Sequence, residues 1–523
     1  MASRRTKPAV PPTKDAPDNT TKPAAAASVL SALPLHNHHH SDVEDASAAA
    51  LPRPLRARTV HNHIVFRFRR EGESGRAGFH PVHFVRIAFR SSSKVSAAVN
   101  VLWPVVPAAL ACRYGLADTP RNHLITFILA YVAMVPCANM IGFAGQELAR
   151  KLPHVLGVLT ETTVGSVVEI VLFIVLLTRG LYAVIQAAIL GSILATMLLC
   201  LGLCFFVGGL RRAEQEFSET VSEAGSGLLL TAGFGLAVPT FFQHTLAGGT
   251  LTDAELAVRT LNVSRVTAVL LLIAYLVYIY FQARTHHGIY DEIFESDKQR
   301  NSVGPGAGGG GGGSGGGGSG GGASPPGGGS DHTAAPAART RSRTSQPRAT
   351  KADSKAKLTL TESLLALGVS VALVTLIALA LVEEIEFIVT DRGVADAFMG
   401  LILVPLVEKA AEHMTAVAEA WEDEMNFALA HVLGATLQTA MCNGPLAVIV
   451  GWGLHRPLGL DFALFDIGVL LLAIVTVGNF LRDQKSNYLE GFLCVIVYIA
   501  VAVAAFHYPN AAEGGAAAEG GAE

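Results

Sequence analysis

The sequence predicts an all-α, polytopic membrane protein of about eleven transmembrane helices, laid out as two inverted-topology five-helix repeats plus an extra first helix. Three observations carry that expectation. Half of the 523 residues are hydrophobic and only 15% are charged, too few polar groups to cover a soluble protein of this length. Apolar stretches long enough to cross about 30 Å of hydrocarbon recur along the chain. A short motif built on a glutamate occurs once in each half.

Residues 1–95 are rich in Ala, Pro, Ser, Thr, His and Arg with no sustained helical period, the composition of a disordered tail. Its His36, His38, His39 and His40 read as a low-complexity tract and not as a metal site. The first membrane half, residues 96–285, holds six apolar stretches, at 96–114, 123–148, 155–178, 182–209, 226–247 and 264–283. Residues 286–357 form a linker: an acidic patch, a Gly/Ser run around 304–330, then a basic end from Arg339 to Lys357. The second half, residues 358–508, holds five more stretches, at 359–389, 394–420, 427–454, 465–481 and 488–507. A short acidic tail, 509–523, closes the chain.

Residues 53–94 carry ten Arg or Lys against two acidic residues, which places the N-terminus, and with it the linker, in the cytosol. A net charge of −3 with scattered basic residues implies no nucleic-acid partner; lipid and transported ions are the partners expected. The six cysteines lie in or beside apolar stretches without zinc or disulfide spacing and read as small hydrophobes. No Walker or Rossmann glycine loop and no nucleophile motif occurs, so neither an enzyme nor a bound cofactor is expected.

The duplicated motif appears when the chain is slid against itself. Val164-Gly165-Ser166-Val167-Val168-Glu169 is followed, 21 residues after its glutamate, by Leu190-Gly191-Ser192-Ile193-Leu194-Ala195-Thr196. Val407-Glu408-Lys409-Ala410-Ala411-Glu412 is followed, at the same distance, by Leu433-Gly434-Ala435-Thr436-Leu437-Gln438-Thr439. The glutamates fall on the third and eighth stretches, an odd number of crossings apart, so one copy is upside down relative to the other. Inverted repeats give equivalent inward-open and outward-open states, with the substrate site between them. A carboxylate inside a span costs about 3 kcal/mol on insertion scales, so Glu169 and Glu412 need a partner or a use. Together they can hold a cation while ionised, or protons when burial and mutual repulsion favour the neutral forms. Ser166, Ser192, Thr436 and Gln438 offer neutral oxygen ligands, and Gly191 and Gly434 offer close helix approach. A purely structural hydrogen-bond network is the competing reading.

In these residues the chain resembles the calcium/proton exchanger family of the cation/calcium exchanger superfamily. The resemblance runs over 95–290 and 358–508 and includes Val135-Pro136 to Ala149, Val184 to Leu194, Gly400 to Pro405, Ala410-Ala411-Glu412-His413 and Asp483 to Gly491. It implies eleven spans with a linker after the sixth, and calcium/proton antiport by alternating access across a vacuolar-type membrane. It also implies that Glu169 and Glu412 bind the transported cation. The chain departs from the family's Gly-Asn-x-x-Glu motifs: Ser166 replaces the first asparagine, and Glu408 and Lys409 replace the second Gly-Asn. Glu161 and Thr196 stand where the family has further asparagines, while Gln438 and His413 are retained. Lys409 lies within one helical turn of Glu408 and Glu412, so its ammonium is expected to neutralise one of Glu161, Glu169, Glu408 or Glu412 unless it snorkels to an interface. Glu161, Glu408, Lys409 and His413 are thus expected to modulate the site. Exchange of sodium or potassium for protons, or a transport-deficient scaffold, are the alternative functions.

Overall fold

A computed structural model describes residues 70–282 and 357–509, apart from 73, 74, 92, 118 and 153. The tail up to residue 69 with its histidines, the Gly/Ser and basic linker through 356, and the acidic tail from 510 lie outside the described residues.

A short helix, α1 (Pro81–Arg90), leads into α2 (Lys94–Gly115) and α3 (Pro120–Ala149). A broken rod follows, α4 (His154–Gly165) and α5 (Val167–Arg179), then α6 (Tyr182–Gly209), α7 (Glu219–Leu246) and α8 (Asp253–Tyr280). The second half opens with α9 (Leu360–Arg392) and a second broken rod, residues 396–408 as α10 and then α11 (Ala410–Trp421). It ends with α12 (Met425–Gly453), α13 (Leu464–Phe480) and α14 (Tyr488–Phe506). Among the described residues eight helices are long and apolar enough to cross a membrane: α2, α3, α6, α7, α8, α9, α12 and α14. Each of the eleven apolar stretches read from the sequence lies on one of these rods. Regular structure that is not helical amounts, among the described residues, to one antiparallel pairing, β1 (Gln215–Glu216) with β2 (Lys485–Ser486).

The predicted tail boundary at 95 is too late. Helix α1 lies inside that segment and buries Ile87 and Ala88 against Met140, Phe143, Ala144 and Leu358. At ten residues it is far shorter than a span, so a search for about twenty consecutive apolar residues passes over it.

Helices α3 and α9 run antiparallel, one from each half, and are pinned at both ends by charge. At one end His123 Nδ1 lies 2.7 Å from Glu384 Oε2, and Arg113 and Arg179 both meet Glu383. At the other end two fully buried carboxylates hold chain segments in place. Glu147 Oε2 accepts the backbone N–H groups of Lys357 (2.6 Å) and Leu358 (3.0 Å). Glu362 accepts from the backbone of Thr359 (3.0 Å) in a capping box that starts α9, and from Arg76 and the backbone of His80. The segment before α1 and the end of the linker are thereby fastened side by side.

Helix α6 is the most enclosed of the long helices; its neighbour is the π-helical stretch Met399–Leu403 of α10. They touch backbone to backbone. A Cβ on Gly191 would run into the Leu401 carbonyl, and one on Gly400 would sit 2.6 Å from the Val184 carbonyl oxygen. Gly434, the equivalent of Gly191 in the second copy, faces open space, so the expected close approach exists in one half only. Gly191→Ala is expected to destabilise the fold by about 1–3 kcal/mol through overpacking. Thermal unfolding in detergent should show a lower midpoint than for Gly434→Ala.

Candidate functional site

Both broken rods break in the same way. Ser166 (φ −86°, ψ −1°) and Lys409 (φ −93°, ψ −3°) sit at the edge of helical space and interrupt the hydrogen-bond ladder. The register that places Glu169 on Glu412 also places Ser166 on Lys409. Each glutamate therefore falls in the first turn of a new helix, where free N–H groups and the helix dipole favour an anion. A second irregularity is repeated too. Helix α6 passes through a π-helical stretch at Ala195–Cys200, and α12 through another at Thr439–Asn443. The same register places Thr196 on Thr439 and Cys200 on Asn443. Such π stretches are frequent at functional sites.

These four irregular stretches face one another. Glu169, 1% exposed, accepts hydrogen bonds from Thr439 Oγ1 (2.9 and 3.1 Å) and Asn443 Nδ2 (2.6 Å). Its Oε2 lies 2.8 Å from the ammonium of Lys409, itself 2% exposed. The same ammonium lies 3.4 Å from Glu412 Oε2. Glu412 is less enclosed, with 32% of its side chain exposed, and it leans towards the first rod: a Cβ on Gly165 would come 3.3 Å from Glu412 Oε1. One carboxylate from each half thus meets on one positive charge. A charge this deeply buried is tolerated only when paired and hydrogen-bonded, and the Glu169 carboxylate has both.

The other expected residues divide. Ser192 donates to Glu408, and Gln438 Nε2 donates to Ser166 Oγ at 3.0 Å and to the Thr162 carbonyl, so these four belong to the cluster. His413 Nε2 lies 3.3 Å from Thr196 Oγ1, which ties the second broken rod to α6. Thr436 does not join: its hydroxyl donates to the Val432 carbonyl of its own helix at 2.6 Å. Glu161 is exposed and makes no contact with the Lys409 ammonium. Lys409 does not snorkel; of the glutamates named for it, it pairs with Glu169 and Glu412. Thr439 and Asn443 were not expected as site residues. Thr439 lay inside the duplicated segment, aligned on Thr196, and that alignment was a signal; Asn443, one turn further on, gave none. Among the described residues no group of three or more His, Cys, Asp or Glu is arranged to hold a metal ion. Cys200 and Cys204 are buried free thiols, as small hydrophobes would be.

Broken helices whose first turns bring carboxylates together inside a polytopic bundle define a secondary carrier by its architecture. The chain matches the profile of the sodium/calcium exchanger protein family over residues 122–284 and 362–507, and it belongs to that family. It is 31% identical over 421 residues to a protein of Synechocystis named Ca(2+)/H(+) antiporter, covering 80% of this chain and 99% of that one. It is 28% identical over 410 residues to vacuolar cation/proton exchanger 2 of Arabidopsis thaliana, covering 78% of this chain and 80% of the relative. Its fold is similar to that of native YfkE, with a TM-score of 0.56 at 22% identity, covering 81% of this chain and all of the other.

Asn443→Ala removes one of the two neutral donors to Glu169. The expected cost is about 1–3 kcal/mol, since a buried charged acceptor loses a partner. Thermal unfolding should show that loss for Asn443→Ala and a smaller one for Thr436→Val, whose hydroxyl serves only its own helix.

Proposed function

We propose that this integral membrane protein is a secondary active antiporter that exchanges a cation, calcium first among candidates, for protons across a vacuolar-type membrane by alternating access. One observation supports this above the others: Glu169 and Glu412, from opposite halves of the chain, converge on a single buried positive charge. A site that gathers carboxylates around a cation inside an apolar bundle suits cation transport. The names of the relatives favour calcium and protons as the exchanged pair.

The chemistry follows from charge. With both carboxylates ionised the site attracts a cation; with protons on them it loses that attraction, so one pair of groups serves both ions in turn. Thr439 and Asn443 position the Glu169 carboxylate, and Ser192 positions that of Glu408. The two broken rods, related as inverted copies, then exchange roles as the site opens to one side or the other. In this reading all eleven rods cross the membrane, and the N-terminus, the linker and the fastening at Glu147 and Glu362 face the cytosol. The domain plan is two membrane halves, 96–285 and 358–508, joined by the linker.

Glu169→Gln and Glu412→Gln are each expected to lower calcium uptake into sealed vesicles under an imposed pH gradient by at least about tenfold, the loss of one charged ligand at a desolvated site. Flux of calcium, sodium and potassium is measured in parallel. Uptake that survives both substitutions would refute the assignment of the site, and a wild-type protein that moves sodium or potassium but no calcium would correct the ion.

A further inference from the structure

We propose that Lys409 sets the valence preference of the cation site, by holding a tethered ammonium beside the oxygens that bind cargo. The inference rests on the exchange reading and adds to it a residue that decides which ion is favoured. Its ammonium lies between Glu169 Oε2 at 2.8 Å and Glu412 Oε2 at 3.4 Å and is 2% exposed, so no water layer separates it from either carboxylate. The backbone puts it there. Lys409 is the residue at which the second rod breaks, and from that break its side chain reaches both Glu169 of the first rod and Glu412 of its own.

The equivalent position in the first half shows what the site would be without it. Ser166 carries only a hydroxyl, which accepts from Gln438 at 3.0 Å and donates to the Thr163 carbonyl at 3.1 Å. One break therefore delivers a neutral oxygen and the other a full positive charge.

Two further oxygens point to a cation seat larger than the ammonium fills. Glu408 Oε2 and Asn443 Oδ1 are buried and have no hydrogen-bond partner. Buried acceptors without donors are rare in native proteins, and carboxylate and amide oxygens are the ligands of hard cations. They belong to residues that already touch this cluster: Asn443 donates to Glu169 and Glu408 accepts from Ser192. The ligands of a cargo ion are thus gathered around a site whose centre a lysine holds. Cargo binds at the oxygens beside the ammonium and feels its charge at close range.

A fixed unit charge acts on a bound ion in proportion to the ion's own charge. Removing it therefore strengthens divalent binding by the square of the factor gained by a monovalent ion at the same place. A lysine that merely pinned the two rods together would not distinguish ions by valence.

The test is equilibrium binding of calcium and of sodium to the purified full-length protein in detergent, comparing wild type, Lys409→Gln and Lys409→Arg. Lys409→Gln is expected to tighten calcium by at least roughly tenfold and sodium by about threefold, following the charge proportionality. Lys409→Arg keeps the charge and should leave the calcium-to-sodium affinity ratio near that of wild type. If Lys409→Gln does not fold, Lys409→Ser is measured in its place, because serine already serves the equivalent break at position 166. Unchanged calcium affinity, or equal factors for calcium and sodium, would overturn this inference while leaving exchange intact. Failure of wild type and variant alike to bind any cation would overturn the exchange reading and this inference with it.

Discussion

Charge cannot be left alone inside an apolar bundle, and the arrangement of this protein around Glu169 follows from that constraint. A carboxylate 1% exposed is tolerated because Lys409, Thr439 and Asn443 all reach it. They come from the opposite half of the chain, so satisfying this one group requires the two halves to be brought together. The same requirement explains the broken rods. A continuous α-helix would use its own N–H groups internally, whereas a break at Ser166 or Lys409 frees a helix N-terminus beside each glutamate.

Much of this was legible in the sequence. Eleven apolar stretches and the division into two halves need only length and hydropathy, quantities that add up over twenty residues and are little disturbed by any single contact. The paired glutamates were legible for a related reason: acidic residues in apolar stretches are costly enough to mark a use. The limits of the method show at α1, whose ten residues are apolar on one side only, and at Gly434, where a residue type suited to close packing has no neighbour to approach. Small residues permit contact without requiring it.

What was not legible is pairing across the halves. Lys409 is three residues from Glu412, so the sequence naturally couples those two, yet its shorter contact is with Glu169, far away along the chain. Asn443 shares nothing with Glu169 in sequence and becomes its donor only because α12 packs against the first broken rod. Thr436, by contrast, has the composition of a ligand but turns its hydroxyl back to Val432. Residue type sets what a side chain can bind; the direction in which it leaves its helix decides whether it does.

The π-helical stretches at Ala195–Cys200 and Thr439–Asn443 bear on direction in a way that reaches beyond the site. Such a stretch is an α-helix with a residue too many, and each surplus residue turns everything after it by about 100°. In α6, what comes after includes Gly202, which packs against the Gly491 carbonyl, and Gly209, which packs against the backbone of Tyr488, both contacts with α14. The surplus residue therefore acts as a phase setting. It offsets, by that angle, the face on which Gly202 and Gly209 meet α14 from the face on which Ser192 meets the second broken rod.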